Sequence, residues 1–163
     1  LFEAMPRILA QRPEATLTLV GDGPEKVSLH DTARGLGLAD RVRFAGAQPQ
    51  AFLPEHYRRA ALLVLPSRRE GFGLVLVDAL GCGCPVVAAD LPAVRELLDD
   101  GRGGRLFRAE NTAELARAVL ELLDDAQAAA GLAQRGRAAV TESYDWRAIA
   151  RRYSEMLNEG KEA

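Results

Sequence analysis

The chain has 163 residues, 48% of them hydrophobic and 27% charged, with a formal net charge of −2. That length supports one domain with a sizeable core, and that mixture excludes a disordered tail. The near-neutral balance, with no long run of lysine or arginine, excludes an extended nucleic-acid footprint.

Leu1, Phe2, Met5, Ile8 and Leu9 open the chain inside a helical pattern that runs to Gln11 and stops before Pro13. Starting within a helix reads as a piece of a longer protein. Ala15 to Val20 is a predicted strand, Glu25 to Gly35 a helix and Val42 to Gly46 a short strand. Phe52 to Ala60 has helical spacing, and Leu62 to Leu65 is a continuous apolar run stopped by Pro66-Ser67. After a glycine-broken turn comes an apolar helix, then Pro85 to Ala89 as strand, Ala93 to Leu98 as helix and Gly104 to Phe107 as a last strand. From Thr112 onward the pattern is helical: Ala113 to Leu123, Ala126 to Val140, and Trp146 to Leu157. Apolar runs without alternation mark strands covered on both faces, and their alternation with helices predicts an α/β doubly wound, Rossmann-like parallel sheet. In such sheets ligands sit beyond the carboxyl ends of the strands. Gly21-Asp22-Gly23, Gly46-Ala47-Gln48 and Pro66 to Gly73 are all strand-end loops.

The turn after Leu65 holds Glu70, followed by Gly71-Phe72-Gly73, and Asp78 lies eight residues beyond Glu70. With helical rise over most of that interval, the two acids are about two turns and ~12 Å apart along one side of the helix. A nucleotide sugar spans about that distance from hexose to ribose. The helix N-terminus at Gly71 to Gly73 offers a diphosphate bare N–H donors and the positive end of a dipole. The turn Gly21-Asp22-Gly23-Pro24 is not the three-glycine dinucleotide fingerprint, which argues against an oxidoreductase. Cys82 and Cys84 are too close for an ordinary disulfide and too few for a metal cluster; they read as small residues before a strand. His30 and His56 have no acid or cysteine at ligand spacing. Trp146 and Tyr153, seven apart on the last helix, are expected to pack in the core. There is no run long enough to span a bilayer, so the expectation is a cytoplasmic protein whose membrane contact, if any, is peripheral.

Taken in order, Val20-Gly21-Asp22-Gly23-Pro24, Phe44-Ala45-Gly46, Pro66-Ser67, Glu70-Gly71-Phe72-Gly73 and Gly83-Cys84-Pro85-Val86-Val87 resemble the C-terminal, donor-binding domain of family 4 retaining glycosyltransferases of the GT-B fold. The resemblance covers essentially all of residues 1–163, with 144–158 similar to the closing helix that crosses toward the other domain. It implies a nucleotide-diphosphate sugar (UDP-, GDP- or ADP-linked) as donor, no cofactor or metal, and an N-terminal acceptor-binding domain as partner. Glu70 becomes the candidate catalytic residue, bonding hydroxyls of the transferred sugar. The amides of Gly71, Phe72, Gly73, Leu74 and Val75 would cradle the diphosphate, and Asp78 would take the ribose diol. Gln48 would edge the nucleobase, and Gly21, Asp22 and Gly23 would line the donor.

Two departures from the family pattern stand out. Asp78 replaces a glutamate and is shorter by roughly 1.5 Å. The arginine and lysine that neutralise donor phosphates lie upstream of Leu1 in the family, on a strand that sits mid-sheet. Ala15–Val20 and Leu62–Leu65 are therefore expected either to pair directly or to flank a gap filled by another polypeptide. Alternative readings are a non-catalytic nucleotide-sugar module and another GT-B enzyme such as a sugar-nucleotide epimerase.

Overall fold

The computed structural model describes residues 1–159. A 3₁₀ turn (Phe2–Ala4) leads into α1 (Met5–Leu9), then β1 (Leu17–Val20), α2 (Lys26–Gly35) and β2 (Val42–Gly46). A second 3₁₀ turn (Gln50–Phe52) precedes α3 (Leu53–Arg59), β3 (Leu63–Leu65), α4 (Leu74–Gly81), β4 (Val86–Ala89), α5 (Pro92–Leu97) and β5 (Arg105–Phe107). Three helices close the chain: α6 (Thr112–Asp124), α7 (Ala126–Tyr144) and α8 (Trp146–Glu159). Every paired strand is parallel, as the helical crossovers require.

The strands fall into two sheets, β1-β2 and β3-β4-β5. β1 and β3 therefore do not pair, which removes the first of the two expectations for them. The sheet is interrupted where the resemblance puts a strand from upstream of Leu1, and no segment among the described residues supplies one.

One core nevertheless spans both sheets. Phe2, Met5, Ile8, Leu38 and Val42 pack with Val87, Ala89, Phe107 and the inner face of α6. A second cluster, on the other side of β3-β4-β5, joins Tyr57, Leu76, Leu80, Val86, Ala88, Val94, Leu98 and Val140. β4 explains the pair of cores: Val87 and Ala89 face one and Val86 and Ala88 the other, so all four residues are buried. β1 differs from this expectation. Leu17 and Leu19 are half-buried while Thr18 and Val20 are exposed, so only one face of the strand is covered.

α6 and α7 are capped as their sequences dictate. Asn111 Oδ1 accepts the Glu114 amide at 3.0 Å at the start of α6, and Glu114 Oε2 in turn accepts the Arg108 amide at 2.9 Å. Asp125 Oδ1 accepts the Ala128 amide at 2.8 Å and starts α7.

α8 corrects the reading of its aromatic residues. Trp146 is 82% exposed and Tyr153 66%, with Met156 and Leu157 equally open. α8 packs chiefly on α7, and its face bearing Trp146, Tyr153, Met156 and Leu157 points away from the core. A helical stripe shows that a face is apolar; whether the molecule covers that face depends on how the preceding helix aims it.

Candidate functional site

Pro66, which lacks an amide for the ladder, ends β3, and the chain turns through Ser67 to Gly73 before α4 begins. Gly73 has φ of 90°, in the left-handed region, and a Cβ there would lie 3.3 Å from Leu76 Cδ1 and 3.8 Å from Glu70 Cγ. Backbone angle and the close approach both call for glycine.

Glu70 is half-buried inside this turn. Its Oε1 accepts the Gly71 amide at 3.1 Å and the Gly73 amide at 3.2 Å, with a longer contact of 3.5 Å from the Phe72 amide. Oε2 accepts from the Ser67 hydroxyl at 3.4 Å. The carboxylate thus holds amides of its own loop, and the expected phosphate cradle is divided. Leu76 and Val77 donate to the Gly73 carbonyl, at 2.8 and 3.3 Å. Leu74 and Val75, at the positive end of α4, donate to no acceptor among the described residues. Gly71, Phe72, Leu74 and Val75 are all exposed, so this tip opens to solvent.

Asp78 lies on the exposed stripe that Leu74 and Val75 begin, while Leu76, Ala79 and Leu80 are buried on the opposite side of α4. It makes no ion pair among the described residues. Its charge reaches Tyr57 on α3, whose phenol is pushed up chiefly by burial and further by Asp78.

The remaining predicted residues form a second cluster, on the β1-β2 sheet. Gly21, with φ of 135°, donates its amide to the Gly46 carbonyl at 2.8 Å, which ties the two strand-end loops together. Asp22 Oδ1 accepts the Gly23 amide at 2.8 Å and Oδ2 pairs with Lys26 at 2.9 Å. The Lys26 hydrogen bond, with the Gly23 amide next, holds the Asp22 carboxyl below its usual range. Gln48 donates its side-chain amide to the Ala45 carbonyl at 2.7 Å, so that nitrogen shapes its own loop. No hydrogen bond among the described residues joins this cluster to the Glu70 turn.

Sequence reasoning missed three participants. Ser67 braces Glu70, Lys26 engages Asp22, and Tyr144 lies edge-on to Phe72 with ring centroids 5.2 Å apart at 83°. The Asp22–Lys26 spacing of four was visible in the sequence; the Tyr144 contact joins residues far apart in the chain and left no local signal. A groove of about 620 Å³ between Arg102, Arg105, Asp125 and Arg135 contains no residue of the Glu70 turn. The turn is an open shelf. No group of three or more potential metal ligands occurs among the described residues, and no described helix is long and apolar enough to cross a membrane.

Residues 1–125 match the family described as Glycosyl transferases group 1. The chain is 32% identical, over its whole length, to 44% of a GDP-mannose-dependent alpha-(1-6)-phosphatidylinositol monomannoside mannosyltransferase of Mycolicibacterium smegmatis. It is 40% identical across 76% of its length to 31% of D-inositol 3-phosphate glycosyltransferase 2 of Catenulispora acidiphila. It therefore spans less than half the length of these curated relatives. Among solved structures, Anabaena HepE in complex with UDP superposes with a TM-score of 0.86 at 32% identity, covering 96% of this chain and 44% of that one. The C-terminal domain of the group 1 protein LpcC from Francisella tularensis gives 0.79 at 27% identity, covering 89% of this chain and 77% of that domain. Parallel strands, helical crossovers, the Glu70 turn and these matches agree: the chain belongs to the group 1 glycosyl transferases, with the Rossmann-like fold of a GT-B donor domain.

Proposed function

We propose that this chain is the donor-binding part of a glycosyltransferase that takes a nucleoside-diphosphate sugar and transfers its hexosyl group with retention of configuration. The observation that carries the reading is the Glu70 turn. A carboxylate held by Gly71 and Gly73 stands beside the unpaired Leu74 and Val75 amides at an exposed helix N-terminus. Those two amides suit the diphosphate, Glu70 Oε2 suits a sugar hydroxyl, and Asp78 farther along the same stripe suits the ribose diol. The GDP-mannose named for one relative and the UDP held by Anabaena HepE support a nucleotide-linked donor.

Chemistry would rest on holding the departing diphosphate at the electropositive tip and on orientation. Glu70 is tethered within its own loop, which favours a binding role over attack on the anomeric carbon by the two-carboxylate route. Acceptor binding is assigned to an N-terminal domain beyond this chain, so the chain alone would bind donor and transfer nothing.

Thermal stability measured with millimolar UDP-glucose, GDP-mannose and ADP-glucose, with NAD as control, tests the reading. Stabilisation by at least one sugar nucleotide and none by NAD is expected. A flat response to all three sugar nucleotides overturns it, and sugar transfer by the isolated chain overturns the claim of inactivity.

A further inference from the structure

Three residues of α7 at four-residue spacing run along α4 from its C-terminal end to its N-terminal tip. Gly136 faces the far end: a Cβ there would come within 2.5 Å of Leu80 Cδ2. Val140, one turn on, is buried in the cluster that holds Leu76, Ala79 and Leu80. Tyr144, another turn on, packs against that cluster and meets Phe72 in an edge-to-face pair at 5.2 Å. Eight helical residues cover about 12 Å, roughly the length of α4, so the missing side chain at Gly136 sets how closely α7 lies and where Tyr144 arrives. Phe72 stands between Gly71 and Gly73, whose amides hold Glu70, and it is 42% exposed. A glycine-flanked loop has little stiffness of its own; among the described residues Tyr144 is the aromatic partner that Phe72 has.

We infer that Tyr144 is a positioning residue for the donor loop: its ring, resting on Phe72, holds Gly71 to Val75 in the geometry that receives the nucleotide sugar. This rests on the donor-binding reading and names a residue that reading does not include. The ring carries the effect, because the Tyr144 hydroxyl makes no hydrogen bond among the described residues. Asp145 follows immediately, its Oδ1 accepting the Arg147 amide at 2.8 Å, so only this capping residue separates Tyr144 from the start of α8.

The test compares Tyr144→Phe, Tyr144→Leu and Val140→Ala in the present chain. Val140→Ala lowers stability from the same helix and the same core without touching Phe72. Calorimetric titration with UDP-glucose and GDP-mannose, well below each variant's Tm, gives affinity. Backbone amide NMR of the free protein gives the positions of Gly71, Gly73 and Leu74. Tyr144→Phe should match the parent within about twofold, and Tyr144→Leu should weaken donor binding several-fold and shift the three amides. Val140→Ala should lower Tm and leave both readouts in place. If Tyr144→Leu behaves like Val140→Ala, or Tyr144→Phe loses as much as Tyr144→Leu, the inference is overturned. Should no donor bind the parent chain, the donor reading falls and the amide shifts alone decide the role of Tyr144.

Discussion

The Glu70 carboxylate accepts the Gly73 amide at 3.2 Å, so the acid closes the turn that holds it. Glu70 is thus both a loop brace and a candidate donor contact, and the two roles respond differently to substitution.

Glu70→Ala should cost stability and affinity together. Two good amide contacts are lost from a half-buried site, each worth about 0.5–1.5 kcal/mol net. A stability loss of about 1–2 kcal/mol is expected, with faster hydrogen exchange at Gly71 and Gly73 and at least tenfold weaker binding of a nucleotide sugar. Glu70→Gln retains an acceptor oxygen and should recover most of the stability. Denaturant titration with amide exchange checks this; unchanged exchange at Gly73 in Glu70→Ala would discount the brace.

Asp78 should separate binding from stability. It is exposed and unpaired among the described residues, so Asp78→Ala should stay within about 0.5 kcal/mol of the parent. Affinity for UDP should fall several-fold, while affinity for inorganic pyrophosphate, which has no ribose, should not move. Asp78→Glu, longer by one methylene, should equal or improve on the parent. Equal loss for UDP and pyrophosphate would remove Asp78 from the ribose contact.

Gly131 and Gly136 lie on one helix and should respond with opposite signs to alanine. A Cβ at Gly131 would meet only the flexible end of Arg135, at 3.5 Å, so Gly131→Ala should gain up to about 1 kcal/mol from helix propensity. At Gly136 the Cβ would fall 2.4 Å from the Gly103 carbonyl oxygen and 2.5 Å from Leu80 Cδ2. Backbone cannot yield as a side chain does, and overpacking of about 1–3 kcal/mol outweighs the propensity gain. Thermal or urea unfolding of the two variants decides; stabilisation by both would show that α7 does not lie against the Gly103 turn.

Alkaline pH should weaken the fold through groups that burial keeps neutral. The Cys84 thiol is pushed up to about 11 from an ordinary 9.0, first by burial, with the Cys82 charge adding and a Leu63 backbone hydrogen bond opposing. Tyr57 is raised as well. The folded state then binds more protons than the unfolded one, so this stability is present below about pH 9 and is lost as pH rises through 11. Urea unfolding between pH 8 and 11 should show the decline, and Cys84→Ala should make it shallower. In the native protein at pH 8, a thiol reagent should modify Cys82 and spare Cys84. A Cys84 that reacts as fast as Cys82 would contradict its burial.

Much of this was legible from amino-acid order. β4 is a run of small and branched apolar residues because both of its faces are covered, and covering both faces leaves no alternation to misread. The Glu70 turn stood out because the end of the strand at Pro66, the reversal through the glycines and the helix start after Gly73 are local properties of the backbone. The interrupted sheet was half legible: the resemblance supplied the alternatives, and only strand pairing showed that β1 and β3 stay apart.

Other features depend on residues distant in the chain. Trp146 and Tyr153 carry the spacing of a buried stripe yet face outward, because the direction of α8 is set by the turn at Asp145 and not by its own pattern. Gly136 looks like an ordinary weak spot in a helix until Gly103 is brought against it, 33 positions away in sequence. Periodicity, turn chemistry and motif spacing act within a few residues and so could be read before folding. Exposure, close approach and the Phe72–Tyr144 contact arise from how whole elements are packed, and came into being only with the folded chain.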